Sequence, residues 1–294
     1  MAKHPLNEIF GFPADNHSDR ARRYRQKRLC PFNNKVPNCT KDKANDPLGV
    51  CSIQGADNQP VITCPIRFRQ DWIVTDDAAA FFFPADTTWT SLTEVRINDV
   101  NGKSAGNIDI VLVAYDNNGQ IVDFGALEIQ SVYISGNIRR PFSAYMQDPA
   151  NQTDMDWSSQ RHYPRPDYLS SSRKRLVPQL IYKGGILQAW GKKQAVAMHR
   201  GFFETLPSLP QTEPEDADIA WLIYDLILTD QNIYELRLYD TIYTQFTPAL
   251  NRITLPEAGP IADFTTMLQS KLDQHLDDKQ NPPDAPSLDD ILRD

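Results

Sequence analysis

Asn107-Ile108-Asp109-Ile110-Val111-Leu112-Val113 and Gly125-Ala126-Leu127-Glu128-Ile129-Gln130-Ser131 are the two stretches whose reading decides the fold. Both read as β-strands, joined through the turn Asp116-Asn117-Asn118-Gly119. Side chains alternate along a strand, so Glu128 and Gln130 share one face and Ile129 takes the other. A hairpin sets Asp109 beside that pair, which gathers two carboxylates and an amide around one point. Hard oxygen donors in that arrangement suit a divalent cation such as Mg²⁺. A cation held there activates water and offsets charge on a phosphate, which points to phosphodiester hydrolysis.

Outward from these strands, Leu92, Val95 and Ile97 open an apolar segment, and strands are expected over 108–115 and 121–133. Residues 137–172 form a long polar connection with several prolines, the length of a binding loop. Leu180, Ile181, Gly184 and Leu187 then fall on one helical face, with Pro178 tolerable in the first turn. Gly184-Gly185 weakens this helix but permits close seating on a sheet. Further strands are expected at 195–198, 220–228 and 233–244, and a last helix over 261–272 capped by Asp263. The polar stretch 16–29 suggests a short surface helix. These elements predict an α/β protein in three parts. Residues 1–70 form an irregular region, 71–276 a catalytic domain, and 277–294 an acidic tail expected to be disordered.

With 294 residues and 40% of them apolar, the chain can bury a sizeable core. No apolar run is long enough to span a bilayer, and no signal peptide is read in a start that is polar from Lys3 to Glu8. A cytoplasmic location is therefore expected. A net charge of −8 argues against indiscriminate binding to nucleic acid, but the charge is uneven. Arg20, Arg22, Arg23, Arg25, Lys27 and Arg28 cluster together; Arg139-Arg140, Arg173-Lys174-Arg175 and Lys192-Lys193 form smaller groups, and the acids collect at the far end. Each cluster alone reads equally as a solvated helix face; several around a cation site favour phosphate contacts.

Cys30, Cys39, Cys51 and Cys64 fall where apolar periodicity is weakest. Disulfides are not expected in a cytoplasmic chain, whereas four thiolates make a closed site for structural zinc, with iron chemically possible. The spacing contains no Cys-x-x-Cys knuckle, so unpaired buried thiols are the alternative.

Several short motifs occur in a shared order: Cys30-Pro31-Phe32, Cys39-Thr40-Lys41, Gly49-Val50-Cys51, Cys64-Pro65, Phe124-Gly125-Ala126-Leu127-Glu128-Ile129-Gln130, Tyr182-Lys183 and Gly259-Pro260-Ile261-Ala262-Asp263-Phe264-Thr265. In these the chain resembles the NotI-type restriction endonucleases of the PD-(D/E)XK nuclease superfamily. The resemblance implies a nuclease core, a mixed β-sheet flanked by helices, with a small N-terminal module in which Cys30, Cys39, Cys51 and Cys64 hold iron or zinc. It also implies a catalytic set of Asp109, Glu128, Gln130 and Glu94, with Mg²⁺ on Asp109 and Glu128. Where the wider superfamily usually has lysine, this chain has Gln130, whose amide orients water but takes no proton.

The function so implied is a type II restriction endonuclease acting on a specific, palindromic double-stranded DNA sequence. A homodimer with two active sites is expected, and a cognate DNA methyltransferase as its functional counterpart. Arg20, Arg22, Arg23, Arg139, Arg140, Arg173 and Lys174 are the expected phosphate contacts. The rival readings are a non-cleaving DNA-binding protein on a nuclease-like fold and a structure-specific repair nuclease.

Overall fold

Leu6, Ile9, Val50, Ile53 and Val61 stand too far apart among polar residues to show a period, yet they meet in one core. In the computed structural model, which describes residues 4–43, 45–153 and 155–280, the N-terminal region is therefore not irregular. It contains β1 (Leu6–Ile9), β2 (Phe12–Pro13), α1 (Asp19–Lys27), β3 (Asp42–Lys43), β4 (Asp46–Pro47), β5 (Val50–Gln54) and β6 (Pro60–Ile62). Four of the strands form an antiparallel sheet in the order β2-β1-β5-β6. Ser18 caps α1 by accepting a hydrogen bond from the Ala21 amide. This helix does not lie wholly on the surface. Ala21 and Arg25 are buried, and the Arg25 guanidinium donates to the carbonyls of Pro13 and Asn16.

A buried ion pair ties this small sheet to the segment that leads into the main one. Arg67 Nε lies 3.0 Å from Glu8 Oε1, with both side chains fully enclosed. Ser52 Oγ donates to Glu8 Oε2, and Arg67 also donates to Gln70 and to the Tyr234 carbonyl. Next comes α2 (Ile73–Phe82), which buries Val74, Ala78, Ala79, Phe81 and Phe82.

The main sheet begins with β7 (Trp89–Asn98), β8 (Ser104–Tyr115) and β9 (Ile121–Gln130). Its third strand ends at Gln130, not 133; Tyr133 opens β10 (Tyr133–Ser135) instead. The expected polar loop is largely structured, with α3 (Arg139–Gln147), α4 (Pro149–Gln152) and β11 (Arg165–Asp167), which pairs with β10. A continuous helical run comes after it: α5 (Tyr168–Ser171), a π turn at Ser172–Leu176, α6 (Val177–Gln179), a second π turn at Leu180–Gly184, and α7 (Gly185–Ala189). Then come β12 (Gln194–His199), α8 (Arg200–Phe203), β13 (Ile219–Leu228), β14 (Tyr234–Thr244) and α9 (Phe246–Thr254).

Strand order in the main sheet is β14-β13-β12-β9-β8-β7. Strand β12 runs parallel to β9 and β13, and the other pairs are antiparallel. This mixed sheet carries helices on both faces. Leu127, Ile129, Ala197, Leu222 and Tyr224 pack on α2. Val196, Met198 and Trp221 face Leu176, Leu180, Phe246 and the apolar residues of the N-terminal sheet. One compact unit runs to Thr254, so the expected boundary at residue 70 does not divide the core.

A second unit begins at Leu255 and contains α10 (Ile261–Gln280). The helix expected over 261–272 thus continues to Gln280, through the expected start of the tail, and Asp263 lies inside its first turn rather than at its cap. The remainder of that expected tail, 281–294, lies outside the described residues. Among the described residues no helix is long and apolar enough to cross a membrane.

Candidate active site

The hairpin partners β8 and β9 pair as far as Ile110↔Leu127 and then part. Asp109 sits at the fork. Its Oδ2 accepts a hydrogen bond from the Ile129 amide at 2.8 Å, so a side-chain oxygen stands in for a ladder carbonyl. On its other side β9 stays paired with β12 through Gln130↔Met198.

Alternation along β9 turns Glu128 and Gln130 to the face shared by Val196 and Met198, opposite Leu127 and Ile129. Glu128 is 1% exposed and Gln130 fully buried. Among the described residues, Glu128 Oε2 and Gln130 Oε1 have no hydrogen-bond partner, and Glu128 Oε1 meets an ammonium. Each buried polar atom left without a partner costs about 1–3 kcal/mol, and two side by side mark a place built for something else. Burial first, and then the charge of Asp109, push the Glu128 carboxyl up to about 8, against the lowering effect of Lys183. Unpartnered carboxylate and amide oxygens are the donor set of a hard cation, and the residues fit one.

Two further side chains reach this point from the helical run. Gln179 accepts a hydrogen bond from Gln130 Nε2. The Lys183 ammonium lies 2.6 Å from Glu128 Oε1, a charge–charge contact, and donates to the Asn107 carbonyl at 2.8 Å. Close approach here depends on Gly184, where an added Cβ would meet Phe246 at 2.6 Å and Gln194 Oε1 at 2.8 Å. The expected catalytic set includes neither Gln179 nor Lys183, although Tyr182-Lys183 is one of the ordered motifs. A signal is nevertheless present: Lys183 stands three residues after Leu180, on its buried face.

Glu94 lies on β7 between the pairs Thr93↔Ile110 and Val95↔Ile108, hence across from Asp109. Its side chain is exposed, and its φ of 58° is a left-handed conformation that costs a non-glycine residue on the order of 1–3 kcal/mol. The structure therefore brings Asp109, Glu128 and Gln130 together and leaves Glu94 beside them without a hydrogen bond to the group.

None of the four cysteines is in a disulfide, and all line one small cavity of about 10 Å³, with Phe32, Lys41 and Leu48 around them. Burial raises Cys30 to about 11, and burial with the charges of Cys64, Glu8, Cys30 and Cys39 raises Cys51 well above its ordinary value. Such thiols ionise only when a cation compensates them. Lys41, whose ammonium is held by the carbonyls of Val50 and Thr63, offsets this only in part, lowering Cys39 against the larger effect of burial. Among the described residues no group of three or more His, Cys, Asp or Glu side chains is arranged as a metal site. The thiols converge on a common cavity without assembling ligand geometry.

The expected phosphate contacts divide. Arg22, Arg23, Arg173 and Lys174 are exposed, Arg22 within 3.5 Å of Asp19. Arg20 lies over the rings of Phe12 and Tyr24, and Arg140 over Trp157. Arg139 is engaged inside the protein, 2.5 Å from Asp42 and 2.7 Å from Asp46.

A mixed sheet flanked by helices, with two acids and unpartnered oxygens where two strands fork, defines an α/β protein with a candidate cation-dependent hydrolytic centre. The profile of the family described as Restriction endonuclease NotI matches residues 16–237, and the chain belongs to that family. It is accordingly a site-specific nuclease whose substrate is DNA. No curated protein matches the chain.

Proposed function

We propose that this restriction enzyme is a Mg²⁺-dependent type II endonuclease that cuts both strands of a short palindromic site. The observation that carries the reading is the pair of buried, unpartnered oxygens, Glu128 Oε2 and Gln130 Oε1, beside Asp109. Asp109 and Glu128 would hold the cation, which when bound supplies Lewis acidity and lowers the pKa of water. Gln130 Oε1 would accept a hydrogen bond from an attacking water, while its amide nitrogen donates to Gln179 and so fixes the orientation of the amide. The amide takes no proton, so the proton of the attacking water passes to solvent or to the leaving oxygen. Glu94 contributes at the rim of the fork. A PD-(D/E)XK core is part of this reading, supported by a mixed sheet in which β12 runs parallel to β9 and β13.

Two active sites on one palindrome call for a symmetric homodimer. Exposed Arg22, Arg23, Arg173 and Lys174 offer phosphate contacts, and a groove of about 710 Å³ lined by His17, Arg22 and Arg28 adds to that surface. Cys30, Cys39, Cys51 and Cys64 hold one iron or zinc, a reading supported by their shared cavity. A methyltransferase of matching specificity protects the host sequence.

A Mg²⁺-dependent digest of plasmid DNA tests the reading. Discrete fragments with two-fold symmetric ends are expected. Binding without cleavage, or a smear of fragments, would overturn it in favour of a non-cleaving binder or a structure-specific nuclease respectively.

A further inference from the structure

Lysine is almost never fully enclosed unless it is paired, yet Lys183 is 3% exposed. Its ammonium has two partners, Glu128 Oε1 at 2.6 Å and the Asn107 carbonyl at 2.8 Å. Asn107 lies two residues before Asp109 on β8, and Glu128 lies on β9. Lys183 therefore bridges the two strands where they part. It is delivered by the second π turn, Leu180–Gly184, and π turns recur at functional sites because the extra residue re-aims side chains. Gln179 and Lys183, four apart on the helical run, meet Gln130 and Glu128, two apart on the strand. Both spacings are about 6 Å, so the two elements match in register.

We propose that Lys183 is a positioning residue of the catalytic centre. Its ammonium, tethered to β8 by the Asn107 carbonyl, holds the Glu128 carboxylate beside Asp109 so that a divalent cation meets both acids in place. The inference rests on the proposed cation site of Asp109 and Glu128. Without the ammonium, two like charges face each other at a buried fork with nothing to keep Glu128 turned toward Asp109. Carboxylate ligands of metal sites depend on such partners for orientation.

The test compares Lys183→Met, Lys183→Gln and Lys183→Arg in the full chain. Met fills the same buried volume without charge, so a role in packing alone is met by Lys183→Met. Mn²⁺ binding is read by electron paramagnetic resonance without DNA, cleavage is read with Mg²⁺, and folding is checked by thermal melting. Lys183→Met and Lys183→Gln are expected to bind Mn²⁺ about 10–100-fold more weakly and to cleave correspondingly more slowly, with Lys183→Arg restoring part of both. Unchanged or tighter Mn²⁺ binding by either folded neutral variant overturns the proposal. A wild-type protein that neither binds Mn²⁺ nor cuts DNA overturns the cation site itself, which the wild-type control shows separately.

Discussion

Asp109 and Ile129 are joined by a hydrogen bond that belongs to neither strand's ladder: the Ile129 amide donates to the Asp109 carboxylate at 2.8 Å, one residue past Ile110 on β8 and two past Leu127 on β9. The bond closes the open end of the hairpin and aims Asp109 at Glu128.

Because that bond needs an acceptor and not a charge, Asp109→Asn should retain the fork while removing a cation ligand. Cleavage is expected to fall by about 10²–10³-fold or more, with binding to cognate DNA in Ca²⁺ kept within a few fold. A steady-state digest and a filter-binding titration check this, and near-wild-type cleavage would refute the ligand assignment.

The Glu128 carboxyl, raised from 4.5 to about 8 by burial and by Asp109, gives a pH dependence with a definite sign. Between these values the folded, cation-free protein holds a proton that the unfolded chain has released. The associated stabilisation is complete below 4.5 and is lost as pH rises through about 8. A cation needs the ionised form, so Mg²⁺ affinity should climb with pH and level off above about 8. Calorimetry in buffers of different ionisation enthalpy should register proton release near neutrality, and Glu128→Gln should abolish it.

Arg67→Met leaves the Glu8 carboxylate buried without its cation. A loss of about 3–5 kcal/mol in urea denaturation is expected, since breaking a buried pair from one side strands a charge. The double variant Glu8→Gln with Arg67→Met should recover part of that loss.

Purified protein should contain close to one iron or zinc per chain by elemental analysis, and Cys39→Ser should lose it. If no metal is found and four thiols of the native protein react freely, the shared cavity is only a buried cluster.

Arg139 spends its guanidinium on Asp42 and Asp46, so Arg139→Ala should cost stability by about 1 kcal/mol or less and change DNA affinity little. Removing the exposed pair Arg173 and Lys174 should instead weaken binding to every duplex and reduce the salt slope by about two. Salt titrations of fluorescence anisotropy compare the two.

The local pattern of β8 and β9 carries the hairpin and the shared face of Glu128 and Gln130, because period-two alternation depends on neighbouring residues alone. β12, β13 and β14 are legible for the same reason, within one residue at each end. Less can be read where distant segments decide the outcome. The N-terminal strands are two to five residues long and show their apolar face only when assembled. In α2, β-branched residues at the start and three consecutive alanines blur the helical stripe. The partners of Arg139 lie 93 and 97 residues away in the chain. Lys183 stands in a quoted motif, but its place at the site is not legible, because a charged side chain on an apolar helix face makes sense only once its counter-charge is in place.

The fork at Asp109 also divides the centre mechanically. Glu128 and Gln130 are mounted on β9, which the parallel ladder to β12 anchors in the middle of the sheet. Asp109 is mounted on β8, which beyond Ile110 is held by β7 on its outer side and by a few side-chain bonds on its inner one. The gap between the two acids is thus the opening of a jaw whose hinge is the last ladder pair, Ile110↔Leu127. The spacing of the two carboxylates is therefore set by where β8 leaves β9, and not by either strand alone.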